Sequence, residues 1–304
     1  RNRSKKMELL AKVFDHSQQR YIKGFNMLTL GWTDGYSFVP IDFAMLSSAQ
    51  KSNRYNEVSD VIDQRTHGFK RRLEAVMSKP QVVHKLIKNA LNTGITADYV
   101  LMDNWFTNEP MIKELRTIGL DVIGMVKNNR QRYHYQGELL QLQELRRCLP
   151  SDHKGDILGS LFCQTKDGIP VKMVFIRNSN KKSEWLAVVS TDLSLEEKEI
   201  IRIYGMRWNI EVFFKASKSL LKLGTEYQGR SYDMLIAHTT IVFSRYILLE
   251  WERRHNQDER SLGGLFFLFC DEIQDLDYET ALKQLMYYFM MLLNYVPKNF
   301  ATAV

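Results

Sequence analysis

Cysteine is scarce in this sequence: three in 304 residues, at Cys148, Cys163 and Cys270. The number is odd and no Cys-x-x-Cys pair occurs, which excludes a disulfide framework and suits a reducing cytoplasm. Six prolines and 16 glycines exclude a collagen-like or low-complexity chain. Long apolar runs are missing as well. Residues 265–270 and 285–296, the latter interrupted by Asn294, fall short of the ~20 residues of a membrane span. No signal peptide opens the sequence. The seven histidines show no ligand spacing, and there is no His-Glu-x-x-His, which speaks against zinc. A Gly-rich phosphate loop, a Gly-x-Ser-x-Gly elbow and a recognisable helix-turn-helix are also absent.

What remains is a folded chain, 44% apolar and 12% aromatic, long enough for two units or one core with insertions. Lysine and arginine number 42 against 35 acids, a difference of 42 − 35 = +7. Basic clusters recur at 1–6, 70–72, 127–132, 181–182, 215–222 and 253–254. Each alone reads as a solvated face, whereas their spread along the chain suits an extended polyanion better than a small acidic ligand.

Residues 4–20 read as a helix. Residues 25–32 and 36–46 read as two strands, with Asp34-Gly35 between them as a hairpin signal. Residues 47–67 read as a loop. Helical spacing over 69–92 breaks at Pro80 and ends near Gly94. A short buried strand over 98–102 places Asp103 at its carboxyl end. Asn108 and Pro110 open a further helix that stops at Gly119, and 122–126 is again a strand. The pattern is α/β, in which polar groups at the carboxyl ends of strands are the usual place for chemistry. From 128 to 190 the texture is mostly β, with strands at 157–164, 170–177 and 185–190. Residues 194–223 read as one long helix. The Met- and aromatic-rich remainder reads as packed helices, its apolar stripe being core.

Within that long helix, Tyr204, Arg207, Glu211 and Lys218 lie at offsets of 3, 7 and 14 residues. At about 100° per residue they share a stripe about 60° wide. A solvated face would account for it. Combined with Asp103 at a strand end, the stripe also suits phosphoryl transfer. Two carboxylates can hold hard divalent cations, Arg207 and Lys218 can hold phosphate oxygens, and Tyr204 can donate a hydrogen bond to a neighbouring phosphate. Asp103 alone is equally well read as a turn or capping aspartate.

The spacing Tyr-x2-Arg-x3-Glu-x6-Lys at 204, 207, 211 and 218 resembles the YREK signature of DDE transposases of the insertion-sequence-four group. The strand ending Val-Leu-Met-Asp103 is similar to the segment that carries that group's second aspartate. The segment from Trp185 resembles the last strand of its β insertion. The resemblance implies an α/β fold with a ribonuclease H-like mixed-sheet core whose first strand is missing here, a mostly β insertion and a helical C-terminal region. The implied divisions are 1–127 and 191–225 for the core, 128–190 for the insertion and 226–304 for the helical region. It implies cut-and-paste DNA transposition dependent on Mg²⁺, with Mn²⁺ as substitute, acting on double-stranded DNA as a homodimer in a bacterial-type cytoplasm. Asp103 and Glu211 would be metal ligands, Tyr204, Arg207 and Lys218 phosphate contacts, and Trp185 a base-stacking residue or else a core tryptophan.

The group's first aspartate has no counterpart in this pattern. Asp34 reads as the first residue of the hairpin turn and Asp42 as a polar-facing strand residue, so the missing carboxylate is expected upstream of Arg1. The chain alone would then be poorly active, and the alternative is an inactive truncated transposase that binds DNA or the intact enzyme as an inhibitor.

Overall fold

A computed structural model describes residues 6–15, 18–58, 61–150, 155–179, 181, 183–225, 229–255, 260–274 and 278–295. The chain divides into two compact units, 1–247 and 248–304. The second contains the end of α7 (Tyr232–His255), α8 (Leu262–Gln274) and α9 (Tyr278–Tyr295), in agreement with the helical reading of that region. Among the described residues no helix is long and apolar enough to cross a membrane.

The first unit opens differently from expectation. In place of a helix over 4–20, β1 (Ala11–Asp15) and β2 (Arg20–Gly24) form an antiparallel ribbon. Met7–Leu10 turns through Leu9 at φ +56, a left-handed conformation that no helix accommodates. Beyond it, Ala11 and Val13 are buried while Lys12 is exposed, the two-residue alternation of a strand. Met7 and Leu9–Ala11, four apolar residues divided by Glu8, mimic helical spacing.

The hairpin is as read: β3 (Asn26–Thr33) pairs with β4 (Phe38–Leu46). Its turn is held by Asp34 Oδ1, which accepts the backbone N–H groups of Tyr36 at 2.9 Å and Ser37 at 2.7 Å. The next two helices, α1 (His67–Ala75) and α2 (Lys79–Asn92), separate at Ser78. Pro80 sits in the first turn of α2, where its missing N–H has no helical partner to lose. Then follow β5 (Tyr99–Met102), α3 (Glu109–Thr117) and β6 (Asp121–Val126). Asn108 caps α3 by accepting the Met111 N–H at 3.2 Å.

Beyond β6 come β7 (Arg132–Tyr135), β8 (Glu138–Gln141) and α4 (Leu142–Arg147), which sequence patterning missed. Gln136 and Gly137 turn this hairpin at φ +49 and +85. Both values are left-handed, as a tight two-residue hairpin turn requires, yet Gln-Gly lacks the asparagine or aspartate that usually marks one. Strands β9 (Ile157–Thr165), β10 (Pro170–Arg177) and β11 (Trp185–Ser190) follow as expected.

One seven-stranded sheet results, in the order β5-β6-β11-β10-β9-β7-β8. Only β5 and β6 run parallel; every other pair is antiparallel. The strands of the 128–190 segment thus continue the sheet begun by β5 and β6. One face buries Met102, Val122, Val126, Met173, Phe175, Ala187 and Val189 together with Met111, Ile112 and Leu115 of α3. The other buries Ile123, Val174 and Val188 beneath Ile200 and Ile203 of α5 (Glu197–Gly205). Helices on both faces of a mixed sheet are the α/β architecture expected of a ribonuclease H-like core.

Glu8 and the start of α7 are pinned to α1 by Arg72, which is 5% exposed. Its guanidinium donates to both carboxylate oxygens of Glu8 (2.7 and 2.8 Å) and both of Asp233 (2.7 and 2.8 Å), and it faces the Tyr232 ring. Removing one partner of such a cluster strands the others. Arg72→Met should therefore lower the unfolding free energy by about 3 kcal/mol in urea titrations at pH 7. Arg72 also holds the Asp233 carboxyl below its ordinary range. A depressed carboxyl stabilises the fold above its unfolded pKa and loses that contribution as pH falls through the folded value. The gap between wild type and variant should accordingly narrow below about pH 4; a gap unchanged down to pH 3 would show that Asp233 contributes nothing to it.

Candidate active site

Because β5 and β6 are parallel, their carboxyl ends emerge on the same edge of the sheet, Met102 beside Gly124. Tyr99 and Leu101 pack on the α5 face and Met102 on the opposite one. Asp103, next in that alternation, is half-buried on the α5 side. The chain then turns tightly around it. Its carbonyl accepts from Phe106 N (3.2 Å), Thr107 N (3.1 Å) and Thr107 Oγ1 (2.7 Å), and its Oδ1 accepts the Trp105 N–H at 2.9 Å. Thr107 is buried directly over Gly124, where a Cβ would run into its side chain. This packing presents Trp105 outward, 62% exposed, with Lys127 Nζ 5.0 Å from its ring centroid.

Across from this turn lies Tyr204, near the end of α5. Burial raises the pKa of its hydroxyl, against the pull of Arg207, and the nearby charge of Asp103 raises it further. The Met125 backbone amide works in the opposite direction, as the smallest of these influences. At neutral pH Tyr204 is a protonated donor. The Arg207 guanidinium lies 5.9 Å from the Tyr204 ring centroid, and its Nη1 is 3.4 Å from Glu211 Oε1. Glu211 is half-exposed. Arg207 thus meets both Tyr204 and Glu211, and the Asp103 charge acts on Tyr204 through space, which links the four in one run. Lys218 is exposed seven residues further along, with Nζ 5.5 Å from the Phe214 ring centroid; at 1.5 Å per residue it stands about 10 Å from Glu211 along the axis.

The helix expected over 194–223 is two helices, α5 and α6 (Trp208–Ser219), joined by Met206 and Arg207. Both linking residues keep right-handed helical angles, but the hydrogen bonds tighten to a three-residue spacing: Met206 N to Ile203 O at 3.0 Å, Arg207 N to Tyr204 O at 3.1 Å and Ile210 N to Arg207 O at 3.2 Å. Gly205, the poorest helix former in the stretch other than proline, sits at the joint. Each tightened residue turns about 120° in place of 100°, which rotates Glu211 relative to Tyr204 from the angle of a regular helix. Helix α6 is positioned by Phe213, which is fully buried and stacked among Phe38, Phe243 and Tyr246 at centroid distances of 5.4, 5.0 and 4.8 Å. Asn209 Nδ2 adds a bond of 3.0 Å to Thr33 Oγ1 at the end of β3.

Trp185 opens β11 at the same edge of the sheet, but on the face away from Asp103. It packs edge-on against Phe175, centroids 5.4 Å apart, within the α3-side core. Asp34 caps the hairpin turn, and Asp42 Oδ1 binds Arg71 at 3.0 Å and the Phe43 N–H at 2.7 Å. Both are thus engaged in local structure, as read. Among the described residues no three His, Cys, Asp or Glu side chains cluster as a metal site would need. Asp103 and Glu211 offer hard oxygen donors, the chemistry that magnesium prefers, and that ion commonly takes only one or two protein carboxylates alongside water and phosphate. The donor type fits such an ion, with a further carboxylate still to be supplied.

Trp105, Thr107 and Gly124 carry no mark in the sequence reading, and Lys127 enters it only as the first residue of the basic cluster 127–132. The signal for the first was a tryptophan two residues beyond a strand-terminal aspartate; for Gly124, a glycine inside a buried strand, which marks close approach of a neighbour.

Residues 1–148 match the family model described as DDE superfamily endonuclease. The matched stretch contains Asp103 and its turn but stops short of Tyr204, Arg207, Glu211 and Lys218. It supports a transposase-like nuclease activity, and nucleases of that superfamily typically use divalent metal ions. No curated protein matches the chain.

The contact between Thr107 and Gly124 is open to test. Gly124→Ala should destabilise the protein by about 1–3 kcal/mol through overpacking. Thr107→Ala should relieve much of that cost, so that the double variant unfolds at a higher urea concentration than the two single effects sum to. Strict additivity would mean that the two residues do not press on one another.

Proposed function

We propose that this chain is the catalytic region of a DDE transposase of the insertion-sequence-four group, cutting and rejoining DNA in cut-and-paste transposition. The observation that carries the reading is the run Asp103–Tyr204–Arg207–Glu211 at the carboxyl edge of the parallel β5–β6 pair. Asp103 and Glu211 would hold Mg²⁺ or Mn²⁺. When bound, such ions lower the pKa of a water or 3′-hydroxyl and stabilise a leaving oxygen. Arg207 would hold the scissile phosphate through its bidentate fork, and the Tyr204 hydroxyl would donate to an adjacent phosphate oxygen. Lys218 would bind the backbone further along the same strand of DNA. The exposed stretch 127–130, which leaves β6 at the same edge and carries Lys127 and Arg130, adds positive potential there. We place residues 1–127 and 191–225 in the core and 128–190 as an insertion that extends its sheet. A homodimer would be needed to bring two element ends together.

A second reading is that the chain alone binds DNA without cutting it, as an inhibitor of an intact enzyme. It is favoured by the engagement of Asp34 and Asp42 in local structure, which leaves two carboxylates in the run where the resemblance implies three.

Nicking of supercoiled plasmid with Mn²⁺ separates the two readings, using the chain as it stands and the chain extended by whatever its gene encodes upstream. The first reading expects cutting by the extended form. Asp103→Asn and Glu211→Gln should abolish it, and Arg207→Ala should slow it about 100-fold or more with Mn²⁺ affinity retained. Binding without cutting by either form supports the second reading. Undiminished cutting by Glu211→Gln would remove Glu211 from the site.

A further inference from the structure

The β1–β2 ribbon carries a feature that packing does not explain. Its register sets Lys12 directly opposite Lys23 and Phe14 opposite Tyr21, so these four side chains share one face. The other face carries Ala11 and Val13, which are buried. Like charges directly opposite one another destabilise a strand pair. Here each ammonium is set beside an aromatic ring instead of an acid: Lys12 Nζ lies 5.0 Å from the Tyr21 centroid and Lys23 Nζ 4.5 Å from that of Tyr55. Both rings are open to solvent, Tyr21 at 62% and Tyr55 at 48% exposure. Among the described residues neither lysine has an acidic partner. Glu57, the nearest acid beyond Tyr55 in the sequence, is bound by Arg54 at 2.9 Å. Asp15, the acid of the ribbon itself, stands opposite Arg20, and by alternation that pair belongs to the other face. The outer face thus carries two lysines and two tyrosine hydroxyls, with no acidic partner for either lysine among the described residues.

We propose that the outer face of this ribbon is a contact for duplex DNA, distinct from the Asp103 site and resting on the reading that the chain acts on DNA. Charge complementarity favours a polyanion, and the shape favours a duplex. Two five-residue strands span about 17 Å and are ~5 Å apart, dimensions that a major groove about 12 Å wide admits. Lys12 and Lys23 bind phosphates, and the Tyr21 and Tyr55 hydroxyls donate to the sugar-phosphate backbone. Such contacts set position on the duplex and read no bases.

The test is fluorescence anisotropy with a labelled 30-base-pair duplex of arbitrary sequence, comparing wild type with Lys12→Gln/Lys23→Gln over roughly 50 to 200 mM salt. Loss of two phosphate contacts makes the slope of log affinity against log salt shallower by about 1.8. The advantage of wild type over the variant is then about 12-fold larger at 50 mM salt than at 200 mM. The same change is expected on a second duplex of unrelated sequence. The variant should melt no lower than wild type, since a repulsive pair has been removed, so weakened binding cannot be ascribed to unfolding. Equal slopes for variant and wild type, with wild type binding the duplex, would overturn the ribbon contact and leave the proposed function standing. No duplex binding by wild type at 50 mM salt would overturn both. Polyglutamate competing as well as duplex would overturn DNA as the occupant.

Discussion

The parallel pairing of β5 with β6 is the constraint on which the candidate site depends. It brings two carboxyl ends to one edge, and the missing side chain at Gly124 lets Thr107 settle against β6. With Thr107 seated, three hydrogen bonds converge on the Asp103 carbonyl. The aspartate is therefore held by its backbone as well as by its side chain. Trp105 and Lys127 take their places as consequences, one from the turn after β5 and the other from the residue after β6. Helix α5 lies over the same strands through Ile200 and Ile203, which places Tyr204 within electrostatic reach of Asp103.

The other half of the site is held from a different direction. Glu211 lies on α6, whose Phe213 is packed among aromatic rings of β4 and α7. The ring of Phe38 can cross β3 at that point because residue 31 has no side chain; a Cβ there would strike the ring. The β3–β4 hairpin also bonds Asn209 through Thr33 and meets Met206 at Gly35. The two carboxylates of the run thus come from separate supports, the sheet for Asp103 and the hairpin with α7 for Glu211. The tightened turn at Met206 and Arg207 joins them.

The parts of this arrangement governed by local chemistry were legible in the sequence. The Asp-Gly turn, the Asn108 start of α3 and the β-favouring apolar runs each follow from neighbours a few residues apart and stand as read, while the break expected at Pro80 falls just ahead of it, at 76–78. What patterning missed depends on distant partners or on unusual backbone angles. The left-handed Leu9 turned an apparent helix into a ribbon, and Gln136-Gly137 made a hairpin without its customary residues. The alignment of Tyr204, Arg207 and Glu211 was visible as periodicity, although the regular-helix angles did not allow for the tightened turn. That Trp185 and Asp103 occupy opposite faces follows from sheet pairing, which no single strand reveals. Trp105 and Lys127 meet only because β5 and β6 are parallel.

The two arginine clusters also separate structure from chemistry. Arg72 makes short, paired bonds to two carboxylates while almost wholly buried, so releasing it would leave charges stranded in a poorly hydrated place. Arg207 is bound differently. Its single contact to Glu211 is 3.4 Å long, and the Glu211 side chain is 49% exposed. An exposed pair of this kind contributes roughly 0–1 kcal/mol. A phosphate with two oxygens available to the guanidinium fork forms a stronger charge-assisted pair, so the exchange runs downhill. Under the proposed reading, the phosphate that Arg207 accepts also relieves Glu211 of its cation, freeing that carboxylate to bind a metal ion as the DNA arrives.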